Sequence, residues 1–167
     1  MADEAPRSAI PFSINNQYVR DLSVENPNAP MIYGSMKSSP EIGINVNVEA
    51  RRLQETSYEV VLSLQVEAKS GDQAAFMIEL QYGALVTVSA EMDDERLQQI
   101  LLVGVPHHLF PFARSIISSA TIESGFPPLL ISPIDFRQLL SKQQAAGASE
   151  NGSAAKASTE QGDAPQG

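Results

Sequence analysis

The 167-residue chain has no cysteine and no tryptophan, and only 6% of it is aromatic. Without cysteine there is no disulfide, no thiol nucleophile and no cysteine-ligated metal site. Basic residues are scarce as well. Eleven Lys and Arg against 20 Asp and Glu leave a formal charge of −9, which argues against a nucleic-acid ligand and favours basic protein partners. No stretch approaches the ~18 apolar residues of a membrane span. The start, Met1-Ala2-Asp3-Glu4-Ala5-Pro6-Arg7, is acidic and lacks the apolar core of a signal peptide. The expectation is a soluble intracellular protein that does not insert into a membrane. Catalytic signatures are lacking too: there is no glycine-rich phosphate loop, nucleophile elbow or zinc-protease motif. His107-His108 is the one histidine pair, and adjacent side chains point apart in any regular element, so it reads as a helix start. Asp93-Asp94-Glu95 lacks the spacing of a calcium loop and suits a helix N-terminus. An enzyme is not expected, and no cofactor or metal is implied.

What is there is alternation. From Phe76 to Val88 every even position is apolar, while the odd positions read Met77, Glu79, Gln81, Gly83, Leu85 and Thr87. Successive strand residues point to opposite faces, so this is a strand with one buried face and one mostly polar, outward face. It would run roughly 40 Å, long enough to need a bulge, for which Gly83 is the obvious site. Met77 and Glu79 put an apolar side chain and a carboxylate side by side on the outward face, where a partner protein is expected. Two further stretches, Ile42–Ala50 and Tyr58–Ala68, alternate cleanly, and Lys69-Ser70-Gly71-Asp72-Gln73 closes a hairpin. These three strands predict an antiparallel meander, with Tyr58 and Tyr82 in the core. The even positions from Phe12 to Val24 are apolar except at Asn16 and Arg20, as in an edge strand or one at a subunit boundary. Asp21 and Glu25 share the odd parity of Met77 and Glu79. Either they lie on a plain solvated face, or they belong to an acidic docking surface.

Asn26-Pro27-Asn28-Ala29-Pro30 ends the first strand, and Met31–Ser39 reads as a crossover without a period. After Ala90 the period lengthens. Acids at 93–95 open a helix that Gly104 and Pro106 are expected to interrupt, and a second runs from His108 to Ser124, capped by Gly125. On that second helix Leu109, Phe110, Phe112, Ala113, Ile116, Ile117 and Ala120 span roughly 160°, more than one contact needs, so it is expected to touch its sheet and something else. Ser132-Pro133 reads as the cap and first position of a last helix carrying Ile134, Phe136, Leu139 and Leu140. The expected organisation is an N-terminal arm over 1–11, one domain over 12–144 and a solvated tail over 145–167.

Several separated motifs then carry a resemblance. Asp21-Leu22-Ser23-Val24-Glu25 followed by Asn26-Pro27-Asn28-Ala29-Pro30 is similar to the signature of SecB, the bacterial protein-export chaperone family. Tyr58-Glu59-Val60-Val61-Leu62, the strand from Ala75 to Leu85, and Leu109-Phe110-Pro111-Phe112-Ala113-Arg114 with Gly125-Phe126-Pro127 match the same pattern in the same order. The likeness runs from about Phe12 to Leu140. It implies an α+β fold, a four-stranded antiparallel sheet with helices on one face, assembled as a dimer of dimers. Helices sandwiched between two eight-stranded sheets would account for the wide arc that includes Phe112, Ile116 and Ile117, and Ile78, Leu80 and Tyr82 fall at the family's tetramer-interface positions. The resemblance further implies an ATP-independent chaperone of the bacterial cytoplasm that holds unfolded precursor proteins and delivers them to the motor SecA. The family's SecA-binding residues fall on Asp21, Glu25, Met77 and Glu79. The docking tail of SecA is basic and zinc-bound, so the metal belongs to the partner.

For the client, the expected lining is Ile32, Tyr33 and Met36 in the crossover, Leu129 and Ile131 in the connector, and Phe136, Leu139 and Leu140 on the last helix; packing of crossover onto helix is the plainer use of the same residues. Many members carry a large aromatic near Met36, which this chain lacks, and its crossover is about one residue longer. Other functions weighed against this one are a SecB-like chaperone dedicated to one client such as an antitoxin, and a small-ligand-binding or enzymatic curled sheet.

Overall fold

The computed structural model describes residues 11–89 and 92–156, which divide into two compact units, one ending at Ile134 and the other beginning at Asp135. Most of the expected arm, residues 1–10, and the end of the expected tail, 157–167, lie outside the described residues. The first unit is built on four strands, β1 (Phe12–Glu25), β2 (Glu41–Arg52), β3 (Ser57–Ser70) and β4 (Gln73–Val88), in the order β1-β4-β3-β2 with every pair antiparallel. The expected meander of the last three strands is present. The first strand joins it on the far side of β4, so residues 26–40 cross from one sheet edge to the other. A five-residue helix, α1 (Met31–Ser35), lies in that crossover, anchored by the fully buried Ile32. No helical period foretold it.

Faces follow parity on β3 and β4. Phe76, Ile78, Leu80, Tyr82, Ala84 and Val86 are buried on one face together with Tyr58, Val60, Leu62, Leu64 and Val66. The hairpin between these strands turns on two residues, with Gly71 at φ +61°, a conformation that costs glycine nothing. The long strand is not bulged at Gly83. Its extra residue is Ala75, opposite the Ala68–Lys69 step, and two more bulges lie in β1. There the register skips Asn15 and Arg20, so the phase of β1 reverses between them. Asn16 and Tyr18 pair with Leu85 and Gly83 and face outward, whereas Gln17 and Val19 pair with Ala84 and Tyr82 and face inward. The expected face through all even positions of β1 is therefore corrected over Asn16–Val19. A one-residue insertion flips every side chain until a second restores the phase.

The buried face is covered by one continuous helical run, α2 (Asp94–Gln99), a π turn (Ile100–Gly104) and α3 (Val105–Glu123). Asp93 caps it by accepting from the Arg96 N–H at 2.7 Å, as the acids predict. Gly104 and Pro106 do not interrupt it. The widened turn, in which the Val105 N–H reaches back to the Ile100 carbonyl, makes room where a proline ring and a missing donor would otherwise break the ladder. Gly125, at φ +82°, ends α3: its N–H bonds the Ile122 carbonyl and the Phe126 N–H bonds that of Thr121, a Schellman closure. The expectation that no stretch approaches a membrane span is corrected for the run Asp94–Glu123, which meets the requirement by length and composition, with mean hydropathy 1.4 over its most apolar window. Its Leu101, Val105, Leu109, Ala113 and Ile117 are buried, as expected of the core helix over this sheet.

The second unit is a helix, α4 (Phe136–Lys156). Its cap is Asp135, whose carboxylate accepts from the Gln138 N–H at 3.0 Å, not Ser132. The helix runs beyond Ala145, where composition places the start of the tail.

Candidate functional site: the outward face of the sheet

The last five residues of β1 pair with β4 so that Glu25 stands opposite Met77, Ser23 opposite Glu79 and Asp21 opposite Gln81. Asp21, Glu25, Met77 and Glu79 therefore share the outward face, with the three carboxylates exposed and Met77 half-buried. The bulge at Arg20 is what brings them there. Beside them lie two shallow depressions, of about 380 and 450 Å³, that meet at Asn45, Gln65 and Glu79. The surface offers carboxylates, amides and one thioether, groups suited to a basic, partly apolar polypeptide.

The other end of the same face holds a group that alternation alone does not single out. Glu59 is only 8% exposed although it points outward. Its carboxylate accepts from the Tyr18 hydroxyl at 2.7 Å and from the Arg51 guanidinium at 2.8 Å, with Arg20 at 3.7 Å. Tyr18 is on β1, Glu59 on β3 and Arg51 on β2, so the tyrosine ring must cross β4. It does so over Gly83, where a Cβ would stand 2.7 Å from the ring. The Tyr18 hydrogen bond, with smaller help from Arg51 and Arg20 and against the effect of burial, holds the Glu59 carboxyl below its ordinary value. Burial and then the carboxylate raise the Tyr18 hydroxyl above its own. A glycine in mid-strand opposite a tyrosine is the signal that would have found this group.

The apolar residues expected to line a client groove part company. Ile32 and Ile131 are buried, while Met36 and Leu129 are half-buried. Tyr33 is exposed but held: its hydroxyl donates to the Ser124 carbonyl at 2.8 Å, and its ring lies 5.3 Å from Phe126, which in turn lies 4.9 Å from Phe76. Phe136, Leu139 and Leu140 open α4, in the second unit. Beside Tyr33 in the chain, Met31 is 79% exposed.

Of the residues at the implied subunit interface, Ile78, Leu80 and Ile117 are already buried within the single chain. Phe112, stacked at 6.4 Å on the buried Tyr82, is 53% exposed, and Ile116 is half-buried. With Val19, Leu22 and Val24 exposed on the inward side of edge strand β1, the apolar arc of α3 divides into a covered half and an open one. A hollow of about 510 Å³ bounded by Leu22, Val24, Ile116 and Ala120 lies between them. His107 and His108 sit in the first turns of α3.

Residues 5–147 match the family model described as preprotein translocase subunit SecB. The chain belongs to the SecB family. The protein-export protein SecB of Rhodospirillum centenum is 43% identical over 140 residues, covering 84% of this chain and 83% of its own. That of Rhodospirillum rubrum is 41% identical over 157 residues, 92% of this chain and 94% of its own. Among solved structures, the SecB-like chaperone of Mycobacterium tuberculosis, in complex with a ChAD peptide from the HigA1 antitoxin, aligns with a TM-score of 0.58 at 16% identity, over 74% of this chain and 90% of that one. At that identity the likeness concerns the SecB fold alone.

Proposed function

We propose that this chain is a cytoplasmic export chaperone that holds unfolded precursor proteins without ATP and hands them to SecA, acting by binding and not by catalysis. The observation that carries the reading is the convergence of Asp21, Glu25, Met77 and Glu79 on one outward surface, across two strands, in a member of the SecB family. Exposed carboxylates around a thioether suit the basic tail of SecA and favour fast, salt-sensitive association. Assembly as a dimer of dimers is supported by the open half of the α3 arc and by the exposed apolar residues of β1. In such an assembly Phe112, Ile116, Leu22 and Val24 supply new contact, while Ile78, Leu80, Tyr82 and Ile117 form the floor beneath it.

Client holding is assigned to the crossover, connector and last helix, through Tyr33, Met36, Leu129 and Leu139 with Ile32, Ile131, Phe136 and Leu140. Several weak apolar sites repeated on each subunit hold one unfolded chain at high effective concentration and with little sequence preference. The test is aggregation of a chemically denatured precursor diluted into the chaperone. Wild type is expected to suppress it without ATP. Met36→Ser with Leu139→Ser, still assembled, is expected to lose most of that suppression with SecA affinity unchanged. Undiminished suppression by the double variant overturns the assignment of client holding to these residues.

A further inference from the structure

The acidic surface depends on something that is not part of it. Asp21 and Glu25 face outward only because the bulge at Arg20 returns β1 to the phase it lost at Asn15. A strand paired on one side is held in register from that side alone, and one residue of slip sends every following side chain to the opposite face. Between the two bulges lies Tyr18, the residue whose hydroxyl is bound at 2.7 Å to a carboxylate two strands away. The bulged residue itself, Arg20, stands 3.7 Å from the same carboxylate. Glu59 thus holds both the reversed segment and the residue that ends it. From the other side Arg51 of β2 binds the carboxylate at 2.8 Å, and three strands, β1, β2 and β3, are braced through one group. The brace passes over β4 only where that strand has no side chain, at Gly83.

We propose that Tyr18 and Glu59 form a strap that locks the bulge at Arg20, and so act as positioning residues that set the spacing of Asp21 and Glu25 against Met77 and Glu79 without touching the partner. The docking role of those four residues is the one assigned above, and the inference rests on it. With the strap in place the carboxylates are presented in one geometry. Without it, β1 samples the neighbouring register, in which Leu22 and Val24 face outward in place of the acids.

Two measurements on the full chain test this. Tyr18→Phe keeps the ring over Gly83 and removes only the hydroxyl, and Glu59→Gln removes the charge. In either variant, hydrogen exchange of the Asp21–Glu25 amides is expected to rise about tenfold or more, the scale of a lost charge-assisted hydrogen bond, with β2–β3 pairing unchanged. Gly83→Ala, which crowds the ring, is expected to do the same. Affinity for a zinc-loaded tail peptide of SecA, by titration calorimetry at low salt, is expected to fall in Tyr18→Phe. It should fall far less in an Asp21→Asn, Glu25→Gln background, because a positioning residue has nothing left to position there. Unchanged exchange at Asp21–Glu25, or an equal loss of affinity in both backgrounds, overturns the strap. If Asp21→Lys binds the tail as wild type does, the docking surface is wrong instead, and faster exchange in Tyr18→Phe still supports the strap.

Discussion

Glu59 is, among the described residues, the one buried carboxylate, and its surroundings link folding to its protonation. Its folded pKa lies below the ordinary 4.5, so the unfolded chain takes up a proton first. Its contribution to stability is therefore complete above pH 4.5 and is lost as pH falls through the folded value. Glu59→Gln is expected to lower stability near neutral pH and to flatten the acid limb of a urea-melt series. A variant whose acid limb matches wild type would contradict this. Asp21 and Glu79 differ in being exposed, and the role proposed for them is in association. Asp21→Lys and Glu79→Lys should weaken binding of the SecA tail several-fold at low salt, with a smaller deficit as salt screens the surface and with assembly unchanged. Calorimetry at two salt concentrations checks both statements.

Among the elements, the end of α3 is the most demanding junction. Gly125 takes the left-handed conformation that the Schellman closure requires, and the space above it is filled by Tyr33, whose ring a Cβ would meet at 3.3 Å. Gly125→Ala therefore combines backbone strain with a push against the crossover. A loss of about 1–2 kcal/mol is expected, read from urea melts. Loosening of the Tyr33–Phe126 contact should accompany it, visible as altered tyrosine fluorescence. The π turn before α3 is an accommodation of another kind: two residues that disfavour a helix are absorbed by a local change of hydrogen-bond pattern because the buried face of the run, Leu101 to Ile117, has a sheet to cover.

At the scale of the molecule, a single chain leaves one side of its apolar layer open. Phe112→Asp and Leu22→Arg place charge on that open side, and sedimentation is expected to show smaller assemblies with secondary structure retained. Leu80→Arg differs, since Leu80 is 1% exposed inside the chain. A charge there has no partner and no water, so it should cost several kcal/mol and unfold the protomer before it separates subunits. A native monomer of Leu80→Arg with wild-type melting would refute that distinction, and unchanged sedimentation of Phe112→Asp would refute the interface.

Local pattern determined the strands, their meander, the face that each side chain of β3 and β4 takes, the Asp93 cap and the Gly125 stop. Each depends on a period of two or on the dihedral needs of one residue, and both can be read from neighbours in the chain. The parity that joins Met77 and Glu79 to Asp21 and Glu25 also came from pattern, though it was right for β1 only because two bulges cancel. Tertiary structure alone decided where those bulges fall, because a bulge is a relation between two strands and depends on what lies across the ladder. It decided that Gly83 is a crossing point for Tyr18, that Glu59 is buried while facing outward, and that α3 is continuous through Gly104 and Pro106. Each of these is settled by a contact between residues at least tens of positions apart, or by burial against a sheet, and neither leaves a mark in a local period.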